Sequence, residues 1–202
     1  MTATRATGER EEVVLVDERG YAIGTAAKAR VHHRATPLHL AFSCYVFDGD
    51  GSVLVTQRAL GKRTWPGVWT NSVCGHPAPG EAISQAVVRR TLDELGLFLT
   101  GLQLVLPGFR YVAEMPDGTR ENELCPVFVA LADGAPDPSP AEVNDLRWEP
   151  WTAFRNAVLA DERDVSPWCR AQVRELAAIE TSDGRFPIAS PLELPAAALL
   201  DL

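Results

Sequence analysis

The stretch that decides the fold is Thr70-Asn-Ser-Val-Cys-Gly-His-Pro-Ala-Pro-Gly80 followed by Glu81-Ala-Ile-Ser-Gln-Ala-Val-Val-Arg-Arg-Thr-Leu-Asp-Glu-Leu-Gly96. Thr70 to Val73 reads as a short strand. Gly75, Pro77, Pro79 and Gly80 then interrupt any regular element. From Glu81 to Leu95 the apolar residues Ala82, Ala86, Leu92 and Leu95 fit one face of a helix, and Gly96 supplies a stop. A strand running through a Gly/Pro loop into a helix is part of an α/β unit, and the flanking sequence supplies the rest.

Upstream, His39 to Phe47 reads as one strand, Asp48-Gly-Asp-Gly51 as a turn and Ser52 to Gln57 as its antiparallel return. Further upstream, Val13 to Val16 is a short strand that Asp17-Glu-Arg-Gly20 turns back toward Tyr21 to Gly24. Ala26 to Arg30 could start a helix, which the run His32 to Pro37 ends, because a residue before proline avoids helical backbone. Downstream, Leu102 to Leu106, Phe109 to Glu114 and Glu121 to Leu131 read as strands, and Asp133 to Pro140 as a loop. Leu146 to Trp151 reads as a last strand, before helices over Trp151–Ala160 and Pro167–Ile179. The order predicts one α/β domain over residues 13–180, an α/β/α sandwich on a mixed sheet. Residues 1–12 are expected to be a disordered lead-in. Residues 181–202 are expected to be a Pro-containing, weakly ordered tail, with an apolar arm packed on the domain or on a partner as the alternative.

Composition fits one soluble domain of 202 residues, 46% apolar and 23% charged. No apolar run reaches the roughly 18 residues that suggest a membrane span. Of the net charge of −8, residues 1–130 carry −1 and residues 131–202 carry −7. That leaves no general basic footprint for nucleic acid, but leaves room for a local cationic pocket in the first two-thirds. The cysteines at 44, 74, 125 and 169 lie too far apart for a CxxC motif. With no apolar leader at the start, the thiols are expected to be reduced and the protein cytoplasmic.

Glu121-Asn-Glu123 puts two carboxylates on one face of an extended segment. They are either a solvated strand end or, given the core-like continuation Leu124 to Ala130, a buried pair that needs a cation. Three of the four histidines, His32, His33 and His76, lie in or beside loops around the Gly/Pro-rich centre, and the fourth is His39. Imidazoles with carboxylates suit zinc, manganese or iron. Cys74 is either a small buried hydrophobe or a partly exposed thiol; Cys44, Cys125 and Cys169 read as buried.

Gly75-x5-Glu81-x7-Arg89, followed by Asp93-Glu94-Leu-Gly96, resembles the Nudix box, whose helix presents carboxylates to magnesium and a diphosphate. Arg90 stands where that box has a glutamate, and Thr91 stands where it is usually aliphatic. Loss of an acid argues for binding a diphosphate rather than cleaving it, and so against the rival reading of a diphosphohydrolase. A further rival is a metal-stabilised binding module, in which Cys74 would be dispensable.

Several segments together resemble type 1 isopentenyl-diphosphate isomerases, which share the Nudix fold. They are Thr70-Asn-Ser-Val-Cys-Gly-His-Pro77, Trp65-Pro-Gly-Val-Trp69, Arg58-Ala-Leu-x-Lys62, Glu121-Asn-Glu-x-Cys-Pro-Val-Phe128, Leu38 to Phe42 and Phe109-Arg-Tyr111. The resemblance runs from about Val13 to about Ile179. It implies interconversion of isopentenyl and dimethylallyl diphosphate in isoprenoid biosynthesis, by protonation and deprotonation around an allyl unit. Cys74 and Glu123 match the two catalytic groups, and Tyr111 matches a hydroxyl on the catalytic carboxylate. His32, His39, His76, Glu121 and Glu123 match the ligands of a tightly bound divalent ion, Mn2+ or Zn2+, which leaves His33 spare. Glu94, with the carbonyl of Cys74, matches the site of a Mg2+ that arrives with the diphosphate. Lys28, Arg58, Lys62 and Arg90 match diphosphate contacts, and Trp168 matches an indole over the hydrocarbon pocket. The resemblance implies no organic cofactor, a small prenyl diphosphate as the substrate, and a monomer.

Overall fold

The computed structural model describes residues 11–198. The first ten residues of the expected lead-in and the last four of the expected tail lie outside that range. Glu12 already belongs to β1 (Glu12–Val16), which pairs antiparallel with β2 (Ala22–Ala27) across the expected turn. A single helical turn, α1 (Lys28–Val31), precedes the loop to Pro37.

The expected strand His39–Phe47 is two strands, β3 (His39–Leu40) and β4 (Phe42–Phe47), which lie in different sheets. The hairpin return is β5 (Ser52–Arg58). The expected strand Thr70–Val73 is also divided, into β6 (Trp69–Thr70) on β5 and β7 (Val73–Gly75) on β4, with Asn71 and Ser72 buried between them. Ser72 accepts from the Val46 amide at 2.8 Å and donates to the Leu54 carbonyl at 2.6 Å, so its hydroxyl bridges β4 and β5.

Helix α2 (Ile83–Leu95) ends at Gly96, whose φ of 59° is left-handed; a Cβ there would lie 2.6 Å from the Asp137 carbonyl oxygen. Next come β8 (Phe98–Leu106), β9 (Arg110–Glu114), β10 (Arg120–Leu124), β11 (Val127–Asp133) and β12 (Val143–Pro150). The expected strand Glu121–Leu131 is thus broken at Cys125-Pro126, where proline has no N–H to give to a ladder. Helices α3 (Trp151–Leu159) and α4 (Pro167–Ile179) follow.

Strand order is β2-β1-β3-β10-β9 in one sheet and β12-β5-β4-β11-β8 in the other. The breaks at Ala41 and Pro126 lie side by side: the Ala41 amide donates to the Leu124 carbonyl at 2.9 Å, and the Ser43 amide to the Pro126 carbonyl at 3.0 Å. The two chain segments therefore pass from sheet to sheet together, in parallel, with Glu123 opposite His39 before the crossing and Phe128 opposite Cys44 after it.

Alternation along β4 divides the core. Phe42, Cys44 and Val46 pack with Ile83, Ala86, Val87 and Leu95 of α2, whereas Tyr45 on the other face packs with Phe154, Val158, Val173 and Leu176 of α3 and α4. Helices on both faces of a mixed sheet give the expected sandwich. The tail differs from the weakly ordered reading over its described part. Ala189, Leu194, Ala197 and Ala198 pack on the α2-side core, and the Ala197 amide donates to the Gly20 carbonyl at 2.8 Å. Gly20 has φ of 80°, and a Cβ on it would lie 2.8 Å from Pro195 Cβ, so this close approach requires glycine.

Candidate active site

The crossing of the two sheets brings His39 and Glu123 onto hydrogen-bonded neighbouring strands. His32, just after α1, and His76, just after β7, complete a cluster in which the four donor atoms lie within 4.8 Å of one another. The Nε2 atoms of His32, His39 and His76 lie 3.8, 3.4 and 3.1 Å from Glu123 Oε1. His39 is fully buried and donates its Nδ1–H to the Pro37 carbonyl at 2.9 Å, which fixes its tautomer and leaves the Nε2 lone pair facing the cluster. Among the described residues, Nε2 of His32 and Nε2 of His39 have no hydrogen-bond partner. Buried lone pairs converging on a carboxylate oxygen are what a divalent cation would satisfy, and the nitrogen–oxygen donor set suits zinc or manganese.

Glu121 stands beside this cluster rather than among its four donors. Its Oε2 is 2.9 Å from the Tyr111 hydroxyl, which is also 2.8 Å from Glu123 Oε2. One phenol has one proton, so both short contacts need a second proton on the trio. Burial and the charge of Glu123 raise the pKa of Glu121. Burial alone would raise Glu123, but the three imidazoles hold it well below the usual carboxylate range. Burial pushes His76 down to about 4. His33, the spare histidine, accepts the Ala35 amide at 3.1 Å within its own turn.

Cys74 is half-buried, whereas Cys44, Cys125 and Cys169 are buried, and all four are free. Burial pushes the Cys74 thiol up to about 12, so it holds its proton at neutral pH. Its S–H donates to Asn71 Oδ1 at 3.1 Å, and Ser43 Oγ lies 3.3 Å from the sulfur. Gln172 donates to Ser43 Oγ at 2.8 Å, which frees the Ser43 hydroxyl hydrogen for a sulfur. The amide orientation of Asn71 is settled, because its Nδ2 donates to the carbonyls of Cys44 and Val73 at 3.1 and 3.0 Å. Its Oδ1 therefore accepts from the Trp168 indole at 3.2 Å and the Thr70 hydroxyl at 2.9 Å, as well as from Cys74. One buried oxygen ties the thiol to the indole.

With the exception of His39, which is buried behind it, every site residue expected from the sequence lines one cleft of about 210 Å³. Trp168 faces the Tyr111 ring at 5.8 Å and the Trp65 ring at 5.7 Å, and the Arg58 guanidinium lies 5.7 Å from its centroid. Arg58 Nε and Nη2 donate to Thr64, and among the described residues Nη1 has no hydrogen-bond acceptor. Lys28 pairs with Glu11 at 2.6 Å, Lys62 with Glu142, and Arg90 with Glu94. Burial raises the pKa of Glu94 and the Arg90 charge opposes it. In the expected box, Arg89 instead holds Glu81, at 2.6 and 2.7 Å. Sequence reasoning missed Asn71, Ser43, Gln172 and Glu142. Asn71 could have been suspected from its place three residues before Cys74, but Glu142 carries no local signal.

A family model for the NUDIX domain matches residues 37–169. A protein of Saccharopolyspora erythraea named isopentenyl-diphosphate Delta-isomerase is 55% identical over 190 residues, which cover 94% of this chain and 98% of that one. One of the same name from Frankia alni is 58% identical over 158 residues, 78% of this chain and 81% of that one. Among solved structures, a protein of Deinococcus radiodurans superposes with a TM-score of 0.63 at 19% identity, over 82% of this chain and 98% of that one. At that identity the likeness is one of fold.

Proposed function

The chain belongs to the Nudix-domain isopentenyl-diphosphate Delta-isomerases, and from that premise we propose how its residues interconvert isopentenyl and dimethylallyl diphosphate. Moving a double bond by one carbon requires a proton to be added at one end of the allyl unit and another removed at the far side. An alkene is a poor base, and its protonation makes a tertiary carbocation. The reaction therefore needs a positioned acid and base, walls that exclude water, and an electron-rich surface near the cation.

Cys74 and Glu123 are the acid–base pair, one on each side of the allyl unit. The observation that carries this reading is their presence in one small cleft, together with five cationic side chains and an indole. Asn71 and Ser43 orient the thiol from behind, and Tyr111 orients the Glu123 carboxylate. Trp168 offers its face to the cationic intermediate, an interaction worth about 2 kcal/mol when desolvated. Lys28, Arg58, Lys62 and Arg90 hold the diphosphate, whose binding energy places the reacting carbons.

His32, His39, His76 and Glu123, with Glu121 beside them, would hold a Mn2+ or Zn2+ that offsets the paired carboxylates, and Glu94 with the Cys74 carbonyl would hold the Mg2+ of the incoming diphosphate, supplying charge neutralisation. No organic cofactor enters this account. The enzyme acts on a small prenyl diphosphate, not on nucleic acid, as a monomer in the cytoplasm; four free thiols suit a reducing compartment. Among the described residues no helix is long and apolar enough to cross a membrane.

The test is incubation with isopentenyl diphosphate in deuterated water. Dimethylallyl diphosphate carrying deuterium, with no phosphate released, is the expected product. Phosphate release without isomerisation would replace this reading with diphosphate hydrolysis.

A further inference from the structure

Lys62 and Arg90, two of the cations given to the diphosphate, share one carboxylate. Glu142 pairs with Lys62, and its Oε2 also lies 3.5 Å from Arg90 Nη2. A phosphoryl oxygen bridging the same two cations needs the space this carboxylate fills. The Glu142 backbone cannot retreat readily. Its carbonyl accepts the Ala59 amide at 3.0 Å, its amide donates to the Ser139 carbonyl at 2.9 Å, and Ala59 in turn accepts the Lys62 amide at 3.1 Å. The side chain, about a quarter exposed, is the part that can yield.

Charge decides when it yields. Glu94 is already buried against Arg90, so an anion arriving alone meets two carboxylates among its cations. Like charges a few ångströms apart at the edge of a protein repel strongly enough to change affinity by an order of magnitude or more. A divalent cation arriving with the anion cancels most of that repulsion.

We propose that Glu142 is a specificity-determining residue of the diphosphate site: its carboxylate stands in for a phosphoryl oxygen between Lys62 and Arg90 and makes diphosphate binding conditional on a divalent cation. The inference rests on the assignment of Lys62 and Arg90 as diphosphate contacts. It concerns what the site refuses: bare anions that would otherwise occupy a cleft rich in Lys and Arg.

Inorganic pyrophosphate is the probe, titrated calorimetrically into the protein as purified, with no chelator, in the presence and absence of Mg2+. Wild type should bind it tightly with Mg2+ and at least tenfold more weakly without. In Glu142→Gln, which keeps the shape and removes the charge, binding without Mg2+ should tighten about tenfold, while binding with Mg2+ stays within about threefold. Glu142→Ala should behave in the same way. If the variants keep the wild-type ratio, the inference falls and the diphosphate assignment stands. If they lose binding in Mg2+, Glu142 is a ligand of the ion and the inference falls. If wild type fails to bind pyrophosphate even with Mg2+, the assignment of the site falls and takes the inference with it.

Discussion

Replacing Asn71 with alanine tests whether one amide holds the site together. The side chain is fully buried and makes five hydrogen bonds, with Cys74, Trp168, Thr70 and the carbonyls of Cys44 and Val73. At a net worth of about 0.5–1.5 kcal/mol each, their loss should cost about 3–7 kcal/mol, a large part of the 5–15 kcal/mol that ordinarily stabilises a domain. Urea denaturation followed by circular dichroism reads this as a lower midpoint at unchanged slope. The cost falls on chemistry as well, because the thiol and the indole lose their common acceptor. In the folded fraction kcat should drop at least about tenfold, while pyrophosphate affinity in Mg2+ should hold, since Asn71 touches none of Lys28, Arg58, Lys62 or Arg90. A stability loss below about 1 kcal/mol, or a kcat unchanged in folded protein, would refute the role given to this oxygen. A parallel fall in pyrophosphate affinity would point to general collapse of the cleft.

Cys74→Ala and Glu123→Gln should each lower isomerisation by about 10²–10⁴-fold with native circular dichroism, and near-normal turnover in either would remove it from the acid–base pair. His39→Ala should lower the tightly bound metal of the purified protein; unchanged stoichiometry by elemental analysis would exclude this imidazole from the ligand set. Arg58→Ala should lower kcat/KM by roughly 10- to 150-fold, the worth of a charge-assisted contact, mostly through KM. Steady-state kinetics identical to wild type would leave Arg58 as a guanidinium that only braces Thr64 and Trp168.

Strong local signals made α2 and α4 legible: α2 ends at Leu95 before Gly96 as expected but starts at Ile83 rather than Glu81, and α4 spans the expected Pro167–Ile179 behind a Ser166 cap. The sheet crossing was not legible as a whole. Pro126 is a visible break in one segment, but Ala41 breaks the other only because its neighbour does, and a pairing partner is not a local property. Asn71 and Ser72 look like strand residues, yet their side chains do backbone work between β4 and β5. The tail reads as loose because prolines break its pattern, while its packing depends on the bare backbone of a glycine far away in sequence. Site residues were legible as a joint motif rather than singly. His39 and Glu123 gain meaning from each other, and Glu142 gains it only from Lys62 and Arg90 across the fold.

The paired passage of β3 into β4 and β10 into β11 sets a timetable for the growing chain. His32, His39 and His76 emerge early, but the carboxylate they converge on is on β10, beyond the midpoint of the sequence. A nascent chain therefore holds imidazoles without their oxygen partner, and a tight, selective ion site cannot form before β10 has slotted in beside β3. An ion held by His32, His39, His76 and Glu123 would close a loop from His32 to Glu123, and its free energy of binding would also be free energy of folding.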